Sequence, residues 1–166
     1  YHLEWSIWPV RDAEGVIRYY VSLQRDMTAK VAAQQERDLL ALALNATNDA
    51  VWVTDENLVI VFANEAMERA SGYSRVELLG NTPLILRSGL HEPAFYADLH
   101  DCLNHGKDFR GIFINRHKNG CMYYVEQSIA SLRDASGRIS HHVGVAKDIT
   151  AQVEREALLR EQAHRD

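Results

Sequence analysis

The sequence predicts an α+β fold built on one antiparallel sheet, and three observations carry that reading. The opening stretch YHLEWSIWPVRDAEGVIRYYVSLQRDMTA returns without a gap 122 positions later as YYVEQSIASLRDASGRISHHVGVAKDITA, beginning at Tyr123. Thirteen of the 29 aligned positions are identical, among them Glu4/Glu126, Ser6/Ser128, Arg11/Arg133, Asp12/Asp134, Gly15/Gly137, Asp26/Asp148 and Thr28/Thr150. An internal repeat governs organisation before any other signal. Between and within the copies, strand patterns fall into a pair and a trio separated by short helical patterns, the order of an α+β domain. Finally, Lys118-Asn119-Gly120 lies between two strand patterns, and Asn-Gly in that position marks a hairpin.

Each element follows from local pattern. Residues 1–9 alternate, with Leu3, Trp5 and Ile7 on one parity and His2, Glu4 and Ser6 on the other, the period of a half-buried strand. RDAEG supplies a turn and VIRYYVSLQ a second strand, so the opening reads as a β-hairpin. A lone hairpin is marginal in water, so this one is expected to be the end of a preceding domain. Thr28 stands at a helix N-cap position, and AKVAAQQERDLLALALNAT has no Gly or Pro, giving a helical linker over 28–45. AVWVTD and LVIVFAN, split by ENL, form the next pair of strands. EAMERAS closed by Gly72 and RVELL between Ser74 and Gly80 read as short helices. TPLILRSG reads as irregular, and HEPAFYADLHDCLNHG is the longest helical pattern of the middle. FRGIFINRHK, CMYYVEQSIASL and RISHHVGVAKD are the last three strands, and AQVEREALLREQAHRD leaves as a second linker helix over 151–166.

Bulk properties narrow the function. With 166 residues, a net charge of −5 and a sequence pI near 5.9, the chain has no basic footprint for nucleic acid. It has no apolar run near the ~20 residues of a membrane helix and nothing like a signal peptide. Cys102 and Cys121 lack metal-type spacing, which fits a reduced, cytoplasmic protein. No Gly-rich phosphate loop or nucleophile elbow is present, so no enzyme is expected within these residues.

The segments NATNDAVWVTDENLVIVFANEAMERASGYSRVELLGNTPLILRSG, EPAFYADL, FRGIFINRHKNG and RDASGRISHHVGVAKDIT together resemble the sensory PAS modules of bacterial signalling proteins. The resemblance implies a five-stranded antiparallel sheet with short helices on one face, flanked by linker helices. It divides the chain into the last hairpin of an upstream PAS domain (1–27), a linker (28–45), a complete PAS domain (46–150) and an outgoing signalling helix (151–166). Asp148-Ile149-Thr150 resembles the common PAS exit signature, with Asp26-Met27-Thr28 as its twin. REALLREQAHRD is similar to the connector that precedes a GGDEF diguanylate cyclase domain, with a sensor histidine kinase as the other output the resemblance implies, although His164-Arg165-Asp166 is not itself a histidine-kinase phosphorylation box.

The resemblance also frames the cofactor question. At the reactive cysteine position of the flavin-binding light-oxygen-voltage class stands Pro83, so cysteinyl photochemistry is excluded. Of that class's flavin-contacting amides Asn115 is retained, whereas Val125 and Ala146 replace the others. Asn115 either bonds a ring edge or caps the turn before Lys118. Trp52 would face inward and take pocket volume, against a large planar group. Among the haem-binding members an axial histidine comes from the middle helix, where the alignment places Phe95; His91, His100 and His105 are expected on the surface. No cofactor is therefore the leading expectation, with flavin held without the cysteine as the alternative. Gln127 shares an inward parity with Val125 and Ile129 and needs a partner, in the protein or in a small ligand. His142 is its candidate neighbour, although alternation turns Val143 and Val145 inward and His142 outward, while the resemblance turns His142 inward. Both hold only if a linker helix or second subunit covers the outer face of the sheet, where Ile112 and Ile114 also point. The candidate ligand residues are thus Trp52, Asn115, Gln127 and His142, and the candidate relay residues are Asp148, Thr150, Val153 and Ala157. The expected roles are a ligand-driven sensor, or a cofactor-free relay and homodimerisation module whose linker helices pair as a coiled coil.

Overall fold

A computed structural model describes residues 1–163. Residues 164–166, with the His164-Arg165-Asp166 tripeptide and the end of the expected 151–166 helix, lie outside the described residues. The chain divides into two compact units, Tyr1–Ala43 and Leu44 onward.

In the first unit, β1 (Leu3–Arg11) and β2 (Ile17–Asp26) form an antiparallel hairpin, followed by α1 (Thr28–Asn45). Both hairpin faces carry exposed apolar side chains: Leu3, Trp5 and Ile7 on one, Trp8, Tyr19, Val21 and Leu23 on the other.

In the second unit, β3 (Ala50–Asp55) and β4 (Ile60–Ala63) precede α2 (Glu65–Ser71), α3 (Arg75–Leu78), a 3-10 helix (Pro83–Leu86) and α4 (Pro93–Asn104). Then β5 (Phe109–Arg116), β6 (Met122–Arg133) and β7 (Ile139–Asp148) complete one antiparallel sheet in the order β4-β3-β7-β6-β5, and α5 (Thr150–Ala163) follows. The core between sheet and helices is formed by Trp52, Ile60, Met67, Leu78, Leu86, Leu103, Phe113, Val125 and Ile129. Ile112, Leu132 and Val145, on strands β5, β6 and β7, are exposed.

The repeat extends to individual hydrogen bonds. Every β1–β2 pair, from Leu3 opposite Asp26 to Arg11 opposite Ile17, has its β6–β7 counterpart, from Val125 opposite Asp148 to Arg133 opposite Ile139. Both ladders shift register at the same point, Val10/Arg11 and Leu132/Arg133. Both turns place glycine at φ 83°, Gly15 and Gly137, where a side chain would be strained. Arg11 reaches back to the Gly15 carbonyl at 2.9 Å and Arg133 to that of Gly137 at 2.8 Å. The exits match too: the His2 amide donates to Thr28 Oγ1 and the Tyr124 amide to Thr150 Oγ1, each at 3.0 Å. Thirteen shared residues therefore specify one hairpin geometry twice.

Two segments depart from the sequence reading. TPLILRSG contains a 3-10 turn, because Pro83 at its start presets φ and loses no hydrogen bond there. The strand expected over LVIVFAN shortens to Ile60–Ala63. Asp55 accepts hydrogen bonds from the Asn57 and Val59 amides, each at 2.9 Å, and the resulting turn carries Leu58 at φ 63°.

Short helices are fixed by their caps. Ser74 and Glu77 form a capping box on α3, and Lys118 Nζ from the β5–β6 turn reaches Glu77 Oε1 at 2.6 Å. Lys118, with the Ser74 bonds, lowers the Glu77 carboxyl from 4.5 to about 2. A depressed carboxyl contributes stability above its unfolded value that is lost as pH falls through the folded one, here from pH 4.5 toward about 2. Urea midpoints measured across that window should fall more steeply for the native chain than for Lys118→Met; parallel profiles would show that the pair contributes nothing.

Candidate functional site

A cavity of about 290 Å³ lies between the sheet and the 3-10 helix and α4, at the small end of ligand pockets. Its wall is mostly apolar: Leu58, Leu86, Leu99, Leu103, Phe113 and Ile129, with Trp52 on the sheet side. Trp52 is 3% exposed and its indole lies directly over Gly144, its neighbour across β3–β7. A side chain at 144 would occupy the space of that ring.

Two buried amides open into the cavity. Gln127 on β6 is 6% exposed, lines the cavity, and has no hydrogen-bond partner for its side chain among the described residues. Asn115 on β5 sits opposite Tyr123 and lines the cavity, and it does not serve as the cap of the Lys118 turn. That turn is held instead by the Asn119 amide donating to His117 Nδ1 and the Cys121 amide donating to Asn119 Oδ1. Burial pushes the Tyr123 hydroxyl up to about 12, with the neighbouring Asn115 amide opposing.

At the mouth, Arg87 follows the 3-10 helix, with its backbone bridged to Asn115 and its guanidinium 4.3 Å from the Tyr96 ring centre. Arg87 and His100 are both exposed lining residues. His91 is half-buried rather than a free surface group. It stacks on Phe95 at 4.0 Å and its Nε2 accepts the Ile114 amide at 2.8 Å, capping the outer edge of β5. Burial lowers its pKa, which keeps the ring neutral for that acceptor role. Phe95 is packed among His91, Phe109 and Phe113.

The structure thus brings Trp52, Asn115 and Gln127 together on one cavity wall and places His142 elsewhere. His142 is 4% exposed and faces inward, so the alternation argument fails on β7, where Val143 and Val145 take the outer parity. It lies opposite Ser131 and shares a 3.0 Å hydrogen bond with Ser131 Oγ, whereas Gln127 pairs with Ala146. His142 is not among the cavity-lining residues and is not the partner of Gln127. Burial, then the neighbouring His141, lowers its pKa.

The relay residues form a joint between sheet and helix. Asp148 Oδ1 accepts the Thr150 amide at 2.8 Å, Thr150 Oγ1 accepts the Tyr124 amide, and the Ile149 amide donates to the Tyr124 carbonyl at 2.9 Å. Tyr124 is three residues from Gln127 on β6, so the cavity wall and the start of α5 share one strand. Val153 is half-buried and Ala157 exposed. At the other margin Asn64, fully buried, accepts the Val51 and Met67 amides and donates to Leu44, Thr47 and Asp49. Sequence reading passed over Asn64; its place just before EAMERAS, an N-cap position, was the available signal. Arg87, Tyr96 and Leu58 carried no such signal.

Among the described residues no group of three or more His, Cys, Asp or Glu side chains is arranged to hold a metal ion, and no helix is long and apolar enough to cross a membrane. Cys102 and Cys121 are free thiols.

Comparison with known proteins agrees with this architecture. The chain is 28% identical over 132 residues to a nitrogen fixation regulatory protein of Klebsiella oxytoca, covering 80% of this chain and 27% of that protein. It is 29% identical over 163 residues to the biofilm dispersion protein BdlA of Pseudomonas aeruginosa, covering 98% of this chain and 39% of that one. The chain therefore spans well under half the length of these relatives. An RNA-binding light-oxygen-voltage receptor superposes with a TM-score of 0.70 at 22% identity, covering 98% of this chain and 44% of that one, and so shares the fold. The model of the PAS fold family matches residues 38–149, more than half of the sequence. With its five-stranded antiparallel sheet, short helices and a cavity between them, the chain belongs to the PAS fold family and carries a PAS sensory domain.

Proposed function

We propose that residues 46–150 sense a small molecule in the cavity and regulate a downstream output domain, a diguanylate cyclase, through the flanking helices of a cytoplasmic homodimer. The observation that carries the reading is Gln127: its side chain lines the cavity and bonds no group among the described residues, so its amide is open to an occupant of the cavity. Its strand ends in the Thr150 joint, so occupancy of the cavity has a short physical route to α5. A ligand shifts such a joint only by binding its two states with different affinity. The cyclase assignment rests on the likeness of REALLREQAHRD to a GGDEF connector. Regulatory relatives from two bacteria support a signalling role.

By the bond-for-bond repeat, residues 1–27 act as the closing hairpin of a second, upstream PAS unit. Leu3, Trp5 and Ile7 are exposed where their counterparts Val125, Gln127 and Ile129 are covered by a core. A flavin held without the cysteine is the other reading, favoured by Asn115 on the cavity wall. Against it stand the small volume and Trp52 inside it.

The test perturbs β6 at its middle and reads the joint at its start. Gln127→Leu should change amide exchange several-fold at Tyr124 and in the first turn of α5, and Thr150→Val should abolish that response. Thr150→Val alone should cost about 1 kcal/mol, the usual worth of a cap hydrogen bond. An unchanged α5 in Gln127→Leu would leave only a cofactor-free structural module. A yellow protein with flavin released on denaturation would favour the redox reading instead.

A further inference from the structure

The cavity has a charge character of its own. None of its lining residues is an aspartate or glutamate, while Arg87 stands at its mouth. Among the described residues no carboxylate pairs with that guanidinium; its contact is the Tyr96 ring at 4.3 Å. A cation entering here would meet a like charge and no counter-ion. An anion would meet a planar donor fork already oriented by an aromatic face.

The interior adds a second constraint. Between Arg87 at the rim and Gln127 at the sheet run Leu86, Leu99, Leu103, Phe113 and Ile129. An occupant must therefore offer apolar surface over most of its length and one polar group for the unpartnered amide of Gln127, which can donate and accept. A single guanidinium matches a carboxylate through two parallel bonds. Arg87 is the only lysine or arginine among the lining residues, which matches a singly charged anion better than a phosphate dianion.

Resting on the sensor reading above, we infer that the cavity takes a small monocarboxylate with an apolar body and one distal hydrogen-bonding group. The carboxylate pairs with Arg87, the body fills the apolar section, and the distal group bonds Gln127. Nothing reacts; the ligand is bound and released.

The probe pair is 4-hydroxyphenylacetate and its neutral amide, 4-hydroxyphenylacetamide, titrated calorimetrically into the full chain. The carboxylate should bind more tightly, and Arg87→Gln should weaken it about tenfold or more, the loss expected for a charge-assisted pair, while leaving the amide unchanged. Arg87 is exposed, so the variant should fold as the parent does. Equal binding of both probes with no effect of Arg87→Gln would overturn the carboxylate assignment. No binding of either at millimolar concentration would overturn it as well. The sensor reading is judged separately: if Gln127→Leu still alters α5 exchange, it survives the loss of the ligand class, and if not, both fall.

Discussion

Asn64→Ala is expected to be among the most destabilising single substitutions in this chain, lowering stability by about 4 kcal/mol. The estimate combines a lost N-cap, worth about 1 kcal/mol, with buried backbone groups left unsatisfied at about 1–3 kcal/mol each. Asn64 Oδ1 is the acceptor for the Val51 amide at the start of β3 and the Met67 amide in α2, and its Nδ2 holds the carbonyls of Leu44 and Asp49. The Thr47 hydroxyl also donates to the Leu44 and Asp49 carbonyls, but the Val51 amide depends on Oδ1, and water does not reach a residue that is 0% exposed. Against a total stability of roughly 5–15 kcal/mol, that loss separates a folded domain from a marginal one. Asn64→Asp distinguishes the donors from the acceptors. It keeps both accepted bonds but turns an oxygen toward the Leu44 and Asp49 carbonyls, so burial and repulsion raise its folded pKa above the usual ~3.9. Its stability should be greatest below that unfolded value and be lost as pH rises through the folded one. Urea melts of both variants at pH 4 and pH 8 check this. A loss under 1 kcal/mol for Asn64→Ala, or pH-independent Asn64→Asp, would show that the network is dispensable.

Both margins of the domain are thereby tied to the sheet through single polar side chains. Asn64 fixes the incoming segment at residues 44–49, and Thr150 fixes the outgoing helix on β6. Such joints resist bending and have discrete partners, which suits transmission of a two-state change better than an apolar contact that slides.

The fold was legible because its determinants are local or repeated. Alternation in residues 1–9, Asn119-Gly120, Ser74 with Glu77, and Gly72 after EAMERAS each specify an element within a few positions. The second copy then supplied the geometry of the first. The site was legible only in part. Trp52, Asn115 and Gln127 lie on strands, where parity and resemblance place a side chain on a face. His142 misled alternation because β7 presents apolar residues outward as well: Val145 is 39% exposed while His142 is buried. Period-2 patterning identifies the core face only when the other face is polar. Arg87 and Tyr96 meet across a 3-10 turn and α4, and no spacing rule links residues nine positions apart in irregular chain. Leu58 escaped for a different reason, since its left-handed backbone depends on the Asp55 carboxylate rather than on its own type.

Gly144→Ala is expected to cost about 2–3 kcal/mol and to close the cavity. Its φ is not in the left-handed region, so alanine in this strand would ordinarily be neutral or favourable by about 0.5–1 kcal/mol. Here the added methyl would overlap Cε2 and Cζ2 of Trp52, which lies over the glycine from the neighbouring strand. Overpacking a buried site of this kind costs typically about 1–3 kcal/mol, and a rigid ring backed by the sheet cannot yield like the end of a flexible chain. The open direction is into the cavity, so the indole should rotate into the volume beside Gln127. Binding of any cavity ligand would then fall together with stability. Trp52→Phe separates this collision from a general weakness of β7. Removing the larger ring makes room for the methyl, so Gly144→Ala should cost at least 1 kcal/mol less in the Trp52→Phe background than alone, a coupling of the size seen between touching residues. Thermal melts of the four proteins in the cycle measure it. Additive losses would mean that the two residues do not compete for the same space, and that the cavity wall at Trp52 is set by something other than the absence of a side chain at position 144.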